Sequence, residues 1–376
     1  MGILERRIYR VELLSPVHIG SGQRLGSADF AVLDGRLWRF DPERLAAALA
    51  RDPRALDRYI QEGAAALRFW GEADRRPLAR YVRPWSGPPP REIREHIADP
   101  LGRPYLPGSS LKGAIRTALA FAALRAASPA QRQAWLEAVA RRAEEARQRR
   151  ARVREFADDP LMQALMGKDP HEDALRGLRI FDSGPAPSDA LDVGRIRVAV
   201  HEPNGTLSWL KAPGEHVPDP EQAFEIAAEI LRPHHRVNLR VEVEEDAFLL
   251  ERDVLGPQER RARVREWARA CNTFARHVAE GELRFGERLG LAEWTAFYRR
   301  LLAQMEAEPQ AVYLNLGWGG GWRSKAAAEA MGAEAVRQLR RLFHLGKGDP
   351  FPKTRRVLFE DGKPTLPLGW IRLIPE

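Results

Sequence analysis

The sequence predicts an α+β fold made of two ferredoxin-like (βαββαβ) domains. Strand patterns and amphipathic helix patterns follow one another in both halves of the 376-residue chain, which is long enough for two domains. Asp-Gly or Asn-Gly pairs separate several of the strand patterns, as they do in β-hairpins. Each half also has a glycine-rich stretch beside the start of a helix pattern. This order fits ferredoxin-like units better than one long parallel sheet.

The first half opens with the strand pattern RIYRVELL, which ends in the glycine-bearing turn SPVHIG. A hairpin with Asp34-Gly35 at its turn comes next. Asp41 is predicted to cap the following helix because Pro42 then occupies the first helical position.

A second helix start is predicted at residues 106–116, LPGSSLKGAIR, where the hydroxyls of Ser109 and Ser110 would cap the helix. From Ser128 to about residue 157 the charges alternate in sign, which indicates a helical insertion that faces solvent. The strand pattern GLRIFD then leads to a domain boundary near residue 190. The predicted domains are residues 1–190 and 191–376.

The second half contains a hairpin at Asn204-Gly205 and the strand pattern VNLRVEVEE. Two amphipathic helices are predicted next, QERRARVREWARACNTFARHVAEG and AEWTAFYRRLLAQME. The strand AVYLNL leads through a glycine-rich loop at residues 317–321 into a helix, and a hairpin around Asp361-Gly362 closes the chain.

The composition indicates a polyanionic partner. The formal net charge is +8, and 53 of the 60 basic residues are arginine. Arginine suits phosphate because its guanidinium group binds two oxygens at once. An arginine-rich and alanine-rich composition is also typical of a GC-rich genome, so charge alone does not establish nucleic-acid binding.

The single cysteine, Cys271, excludes a disulfide framework and a cysteine-based metal site. No apolar run reaches the length of a membrane span, and the N-terminus lacks a signal-peptide pattern. We therefore expect a cytoplasmic protein without a membrane partner, a cofactor or a metal.

Three stretches combine glycine with polar or basic residues beyond what a fold needs. In residues 15–23, SPVHIGSGQ, the backbone N–H groups around Gly20, Ser21 and Gly22 could hold a phosphate. A turn that requires positive φ explains this stretch equally well. In residues 106–116, Gly108 and Gly113 would let an anion approach a helix start.

Lys112 and Arg116 lie four residues apart, on one face of that predicted helix. The third stretch, residues 316–325, is LGWGGGWRSK. It joins the glycines of residues 317–321 to Trp318 and Trp322, with Arg323 and Lys325 beside them. Unpaired bases stack on aromatic rings, so this composition suits single-stranded RNA. A glycine turn with two core tryptophans is the structural alternative.

A short basic run, KTRR, follows in the tail and contains Lys353, Arg355 and Arg356. The chain lacks the common phosphate-loop, zinc-protease, hydrolase and dinucleotide motifs. His18 is a candidate general base, but the sequence places no partner beside it. No catalytic residue is predicted.

Taken together and in this order, SPVHIGSG, LPGSSLKGAIRTAL and LGWGGGWRSK with KTRR resemble the RAMP superfamily of type III CRISPR effector subunits. The passages DDPLMQALMG…LRIFDS and PKTRRVLF…PLGWIRL are most similar to the subunit at the head end of the Csm (type III-A) complex. The resemblance covers both ends and the centre of the chain, while residues 52–100 and 128–157 carry little of it.

The resemblance implies two RRM-like RAMP domains with glycine-rich loops and helical insertions. It implies a non-catalytic structural subunit that holds the 3′ part of the CRISPR RNA (crRNA) and caps the backbone of Csm-type RAMP subunits. Target RNA near the head end would be a further partner. Such a subunit also supports crRNA maturation by recruiting host nucleases.

The implied RNA-facing residues lie in the three glycine stretches and the basic tail: His18, Gly20, Ser21, Gly22, Gly108, Ser109, Ser110, Lys112, Gly113, Arg116, Gly317, Trp318, Gly319, Gly320, Gly321, Arg323, Lys325, Lys353, Arg355 and Arg356. Two alternatives stay open. One is a RAMP endoribonuclease that processes precursor crRNA with His18 as general base, and the other is the equivalent end subunit of a Cmr (type III-B) complex.

Overall fold

The computed structural model describes residues 4–149, 159–233, 238–251, 255–346 and 348–376. The strands are β1 (Leu4–Leu13), β2 (Gly20–Leu25), β3 (Phe30–Leu33), β4 (Arg36–Phe40), β5 (Ala79–Pro84), β6 (Ile93–His96), β7 (Leu178–Ile180), β8 (Leu191–His201), β9 (Leu207–Ala212), β10 (Glu215–Val217), β11 (Ile226–Leu231), β12 (Leu239–Asp246), β13 (Val312–Asn315), β14 (Thr354–Glu360), β15 (Lys363–Pro364) and β16 (Trp370–Pro375).

The α-helices are α1 (Pro42–Leu49), α2 (Pro53–Glu62), α3 (Glu72–Arg75), α4 (Gly108–Ala126), α5 (Pro129–Gln148), α6 (Asp159–Met166), α7 (Ala247–Glu251), α8 (Gln258–Arg265), α9 (Trp267–Leu289), α10 (Ala292–Ala307) and α11 (Ala333–Phe343). Helices and strands are thus mixed along the chain, and the predicted α+β class is confirmed.

Three sheets organise these strands. The first sheet has the order β13-β16-β1-β12-β7, and α4 and α9 pack together beside it. The second sheet has the order β10-β9-β8-β11-β6-β2, with β14 paired to β8 and β15 to β14. The third sheet, β3-β4-β5, has a separate core of its own around Trp38 and Phe40.

Each of the two larger sheets takes strands from both sides of residue 190. The first sheet places β1 between β12 and β16, and the second pairs β6 with β11 in parallel. The predicted division at residue 190 therefore does not coincide with a division between sheets. The sheets are formed by strand pairing between segments that are distant in the sequence. Hydrophobic periodicity predicts individual strands but not which strands pair, so the sequence did not reveal these sheets.

Local turn and cap chemistry matches the sequence predictions. Asp34 and Gly35 have φ values of 53° and 69°, and Asp361 and Gly362 have values of 50° and 74°, as hairpin turns with two left-handed residues require. The Asp41 side chain accepts hydrogen bonds from the N–H groups of Glu43 and Arg44, with proline at the first helical position.

Two helix predictions need correction. The N-cap residue of α4 is Pro107, whose own side chain makes no capping hydrogen bond, so Ser109 and Ser110 lie in the first turn and not at the cap. The long helix predicted around residues 258–281 is divided at Glu266 into α8 and α9. The insertion helix begins as predicted, because Ser128 and Gln131 form a capping box at the start of α5; residues 150–157 of the predicted insertion lie outside the described residues.

Candidate nucleic-acid interface

The first and third glycine stretches meet in the folded chain. The backbone N–H of Trp318 donates to the carbonyl oxygen of His18 over 2.8 Å. Gly317, at φ +66°, lies so close that a Cβ atom added there would be 2.1 Å from the same oxygen. Only glycine fits this position, so the turn at residues 15–23 and the loop at residues 317–321 are held together by backbone contacts.

The side chain of His18 supports this junction from inside. It is 2% exposed, its Nδ1 atom lies 2.7 Å from the carbonyl oxygen of Glu229, and its ring is edge-on to Trp318 at 5.7 Å. Burial lowers the pKa of His18, so the ring is neutral at pH 7. This corrects the expectation that His18 faces RNA, because the ring is packed beneath the surface.

Two arginines lie against Trp318 from different strands. The guanidinium carbons of Arg94 and Arg356 are each 4.7 Å from the centroid of the indole ring. Their Nε atoms are buried without a hydrogen-bond partner, and neither arginine has an ion pair within the described residues. Burial lowers both pKa values, and Arg94 lowers that of Arg356 further. Both remain cations, so positive charge concentrates here.

Trp318 and Arg356 line a cleft of about 490 Å³, which we call the glycine cleft. Its lining residues are Gly317, Trp318, Gly319, Gly321, Trp322, Lys325, Gly346, Gly348, Pro350, Phe351, Pro352, Lys353, Thr354 and Arg356. Glycine and proline dominate the walls, while the charged members of this lining set are all cations.

Lys325 is one of the cations that line the glycine cleft. Its side chain is accessible, and it has no ion pair within the described residues. The surrounding protein nevertheless removes much of the water around the amine, and this burial lowers the pKa of Lys325 to about 8. An anion in the cleft would therefore gain a cation that no carboxylate already neutralises.

The glycines of the loop serve different purposes. A Cβ at Gly319 would lie 2.6 Å from Leu368, and one at Gly320 would lie 2.0 Å from the Asn315 amide oxygen, so both are needed for packing. Gly321 has open space around it but a φ of +74°. Gly22, in β2, combines a φ of +94° with open space in the same way.

The stretch around Gly20, Ser21 and Gly22 is exposed along β2, an edge strand of the second sheet. The Ser21 hydroxyl donates to Glu95 over 2.8 Å. β2 pairs with β6, the strand whose Arg94 lies against Trp318.

Arg323 and Arg355 are not available to a ligand. Glu282, in α9, accepts from Arg323 over 3.1 Å and from Arg355 over 2.5 Å. Arg323 also pairs with Glu329 at 3.0 Å, and Arg355 is 5% exposed. These contacts correct the expectation that both arginines face RNA: they hold the loop and β14 onto α9.

At the start of α4, some of the residues predicted to face RNA are held by contacts within the protein, and others are open. A Cβ at Gly108 would lie 2.2 Å from the Ile180 carbonyl oxygen, and the Gly108 N–H donates to Asp182 over 2.7 Å, so this glycine is needed for packing. Arg116 forms an ion pair with Asp173. Gly113 has no atom within 4 Å of an added Cβ; the fold itself therefore does not require glycine there.

Ser109 is exposed, while Ser110 and Lys112 are partly buried. Burial lowers the pKa of Lys112. The second stretch reaches the same side of the molecule as the third, because Arg116, Trp322 and Lys325 line one groove.

Sequence reasoning missed Arg94. Its local pattern, REIREH, is that of an ordinary charged strand. Only the pairing of β6 with β2 and β11 brings it to Trp318. No local signal in the sequence would have identified this contact.

The outer face of the first sheet differs from the cleft because its charges are paired. Arg6 pairs with Glu244 at 2.6 Å, Arg179 with Asp246 at 3.3 Å and Arg372 with Glu12 at 2.8 Å. The glycine cleft, by contrast, is lined by the aromatic rings of Trp318, Trp322 and Phe351. Among the described residues, no helix is suited to spanning a bilayer and no cluster of three or more His, Cys, Asp or Glu side chains could hold a metal.

Comparison of the chain with known protein families identifies the class of protein to which this fold belongs. The model of the RAMP superfamily matches residues 10–324. The chain therefore belongs to the RAMP superfamily, and the family predicted from the sequence is confirmed. The basic tail at residues 353–356 lies beyond the matched region.

Among curated proteins, the chain is similar to the CRISPR system Cms protein Csm5 of Streptococcus thermophilus. The two are 30% identical over 143 residues, which cover 30% of this chain and 38% of that protein. The match thus spans well under half the length of this relative.

Two solved structures are similar over nearly the whole chain. One is a chain of the Csm–crRNA–target RNA ternary complex of a type III-A CRISPR-Cas system, with 24% identity, a TM-score of 0.67 and coverage of 100% of both chains. The other is T. onnurineus Csm5, with 23% identity, a TM-score of 0.60 and coverage of 97% of this chain and 99% of that chain. At these identities the likeness is evidence of a shared fold.

Proposed function

We propose that this chain is a non-catalytic, RNA-binding structural subunit of a type III-A (Csm) CRISPR complex. In this role it caps the backbone of RAMP subunits, holds the 3′ part of the crRNA and supports crRNA maturation through host nucleases. The similarity to Csm5 and to a chain of a Csm–crRNA–target RNA complex supports the assignment.

The observation that carries the proposal is the set of cations around Trp318 that have no ion pair within the described residues. Arg94, Arg356 and Lys325 have no ion pair within the described residues, whereas other arginines of the same stretches are bound to carboxylates. Cations left without partners beside aromatic rings and glycine backbone match the needs of single-stranded RNA, whose phosphates require charge and whose bases stack.

The open space at Gly113 and Gly22 supports the same reading. Neither position has an atom within 4 Å of an added Cβ, so a partner can approach the backbone closely at both. For the alternative role of His18 as a general base, the ring would have to reach a ribose hydroxyl. Its 2% exposure and its contact with the Glu229 carbonyl favour a structural role instead.

The decisive experiment is to purify the tagged chain from its native cell and to identify bound RNA and proteins. We expect CRISPR-derived RNAs that share a 5′ repeat tag and have staggered 3′ ends, together with other RAMP subunits. Recovery of Cmr-type neighbours would move the chain to a type III-B complex. Recovery of the protein alone, or with unrelated RNA, would contradict the proposal.

A cleavage assay distinguishes the endoribonuclease alternative from the proposed non-catalytic subunit. We expect no metal-independent cleavage of a repeat hairpin by the purified chain. Cleavage that His18→Ala abolishes would support the endoribonuclease reading, and cleavage that depends on an aspartate would also contradict a non-catalytic subunit.

A further inference from the structure

A second concavity adjoins the glycine cleft. It has a volume of about 310 Å³ and lies between α4, α5, α6, α11 and the segment that follows the glycine loop. We call it the apolar groove, because its walls are mainly Trp135, Leu136, Met162, Met331, Leu339 and Phe343. The volume is at the lower end of pockets that bind small organic ligands, roughly 300–1,000 Å³.

The apolar groove and the glycine cleft share two residues, Trp322 and Lys325. A ligand that lies along the cleft can therefore place one group in the groove without leaving Lys325. Arg116 lines the groove as well, and its ion pair with Asp173 holds it in position. The charge at this junction is positive, while the groove itself is apolar.

These features match the two parts of a nucleotide. A phosphate would lie against Lys325, and a flat apolar base would enter between side chains that include the partly buried ring of Trp135. Stacking on aromatic and apolar side chains tolerates any base, since every base has a π face. The polar groups of the lining are few, and one of them, the Thr117 hydroxyl, already donates to the Gly113 carbonyl over 3.1 Å.

We propose that the apolar groove binds a single unstacked nucleobase of the bound RNA, independently of base identity, while Lys325 binds the adjoining phosphate. This inference rests on the proposed RNA-binding function and adds a second site to it. Base-independent binding suits an RNA whose guide portion varies in sequence. A peptide segment fits less well, because the apolar walls offer few partners for its backbone N–H and C=O groups.

The test uses the full chain, in its complex or purified, with single-stranded RNAs that carry 4-thiouridine at one position at a time. Ultraviolet crosslinking and mass spectrometry then identify the contacted peptides. We expect one RNA position to crosslink within α5 or α6, near Trp135 or Met162, and its neighbours to crosslink within residues 317–356. Replacing the base at that position by another should leave the affinity unchanged.

Ala328→Phe fills the groove, and Ala47→Phe, at an exposed site on α1, is the matched control. We expect Ala328→Phe to abolish the α5 or α6 crosslink and to weaken RNA binding about tenfold, the size of one lost base stack, with the cleft crosslinks retained. Trp135→Ala is a second variant that removes the stacking ring without adding bulk, and circular dichroism verifies folding of each.

Unchanged crosslinks and affinity in both groove variants would overturn this inference and leave the proposed function intact. Loss of a protein subunit from the complex, with the RNA crosslinks unchanged, would indicate a protein occupant and would also overturn it. Failure of the wild-type chain to contact RNA anywhere would contradict both proposals.

Discussion

The guanidinium carbon of Arg356 lies 4.7 Å from the centroid of the Trp318 ring. Its neighbour in β14, Arg355, is buried on the other side and donates to Glu282 over 2.5 Å. Successive residues of a strand point to opposite faces, so Arg355 lies in the core, whereas Arg356 lies against Trp318 without an ion pair within the described residues.

Arg356→Gln should weaken RNA binding and leave the fold intact. Loss of one phosphate contact to single-stranded RNA lowers the slope of log K against log salt by about 0.7. Filter binding at several salt concentrations measures this slope. Arg299→Gln is the control, because Arg299, in α10, is exposed and pairs with Glu287 in α9. Equal slopes for both variants would assign Arg356 a structural role.

Arg355→Met should instead destabilise the fold. Removing one partner of a buried ion pair costs about 3–5 kcal/mol, and the lower end applies here because Arg323 still neutralises Glu282. Urea denaturation measures the free energy of unfolding. A variant as stable as the wild type would show that the Glu282 contact contributes little.

Two glycine variants separate packing from ligand approach. Gly317→Ala should cost more than about 2 kcal/mol, because a left-handed φ is unfavourable for alanine and its Cβ would meet the His18 carbonyl. Gly113→Ala, in the open first turns of α4, should stabilise the fold by about 0.5–1 kcal/mol.

RNA affinity then decides the role of Gly113. We expect the stabilised Gly113→Ala variant to bind RNA more weakly, since a methyl group would stand where RNA approaches the helix. Unchanged affinity would show that RNA does not pack against this helix face.

Acid should destabilise the fold through the histidines beneath the glycine turn. Burial lowers the pKa of His96 to about 4 and also lowers that of His18. The unfolded chain therefore binds protons that the folded chain does not, and stability falls as the pH drops from about 6.5 towards 4. Each such histidine contributes a slope of up to about 1.4 kcal/mol per pH unit.

Denaturation at pH 4.5, 5.5 and 6.5 measures this slope. His96→Asn should reduce it, because asparagine does not titrate and still carries a donor for the Ile97 carbonyl that His96 Nδ1 contacts at 2.8 Å. An identical slope in the variant would exclude His96 as the source.

RNA binding should weaken between pH 7 and pH 9, because the pKa of Lys325 is about 8 and the amine loses its charge over this range. Lys325→Arg should remove this part of the pH dependence, since arginine stays charged. Lys325→Gln should bind more weakly than the wild type at pH 7 and about equally at pH 9. The same pH dependence in all three proteins would contradict a phosphate contact by Lys325.

The sequence by itself determined the α+β class, the hairpin turns and the family. The two-residue turns at Asp34-Gly35 and Asp361-Gly362 and the cap at Asp41 depend on the φ values and hydrogen bonds of adjacent residues, which local sequence encodes. The family depends on the order of three glycine stretches along the chain, which is also a property of sequence alone.

The tertiary structure decided which cations remain free. Arg323 and Arg355 are neutralised by Glu282, and Arg116 by Asp173. Arg94 reaches Trp318 through the pairing of β6 with strands from both halves of the chain. Whether an arginine is available to a ligand depends on which carboxylates folding brings close to it. Local sequence encodes the geometry of a turn, but it does not encode the distance between charges that are far apart in the chain.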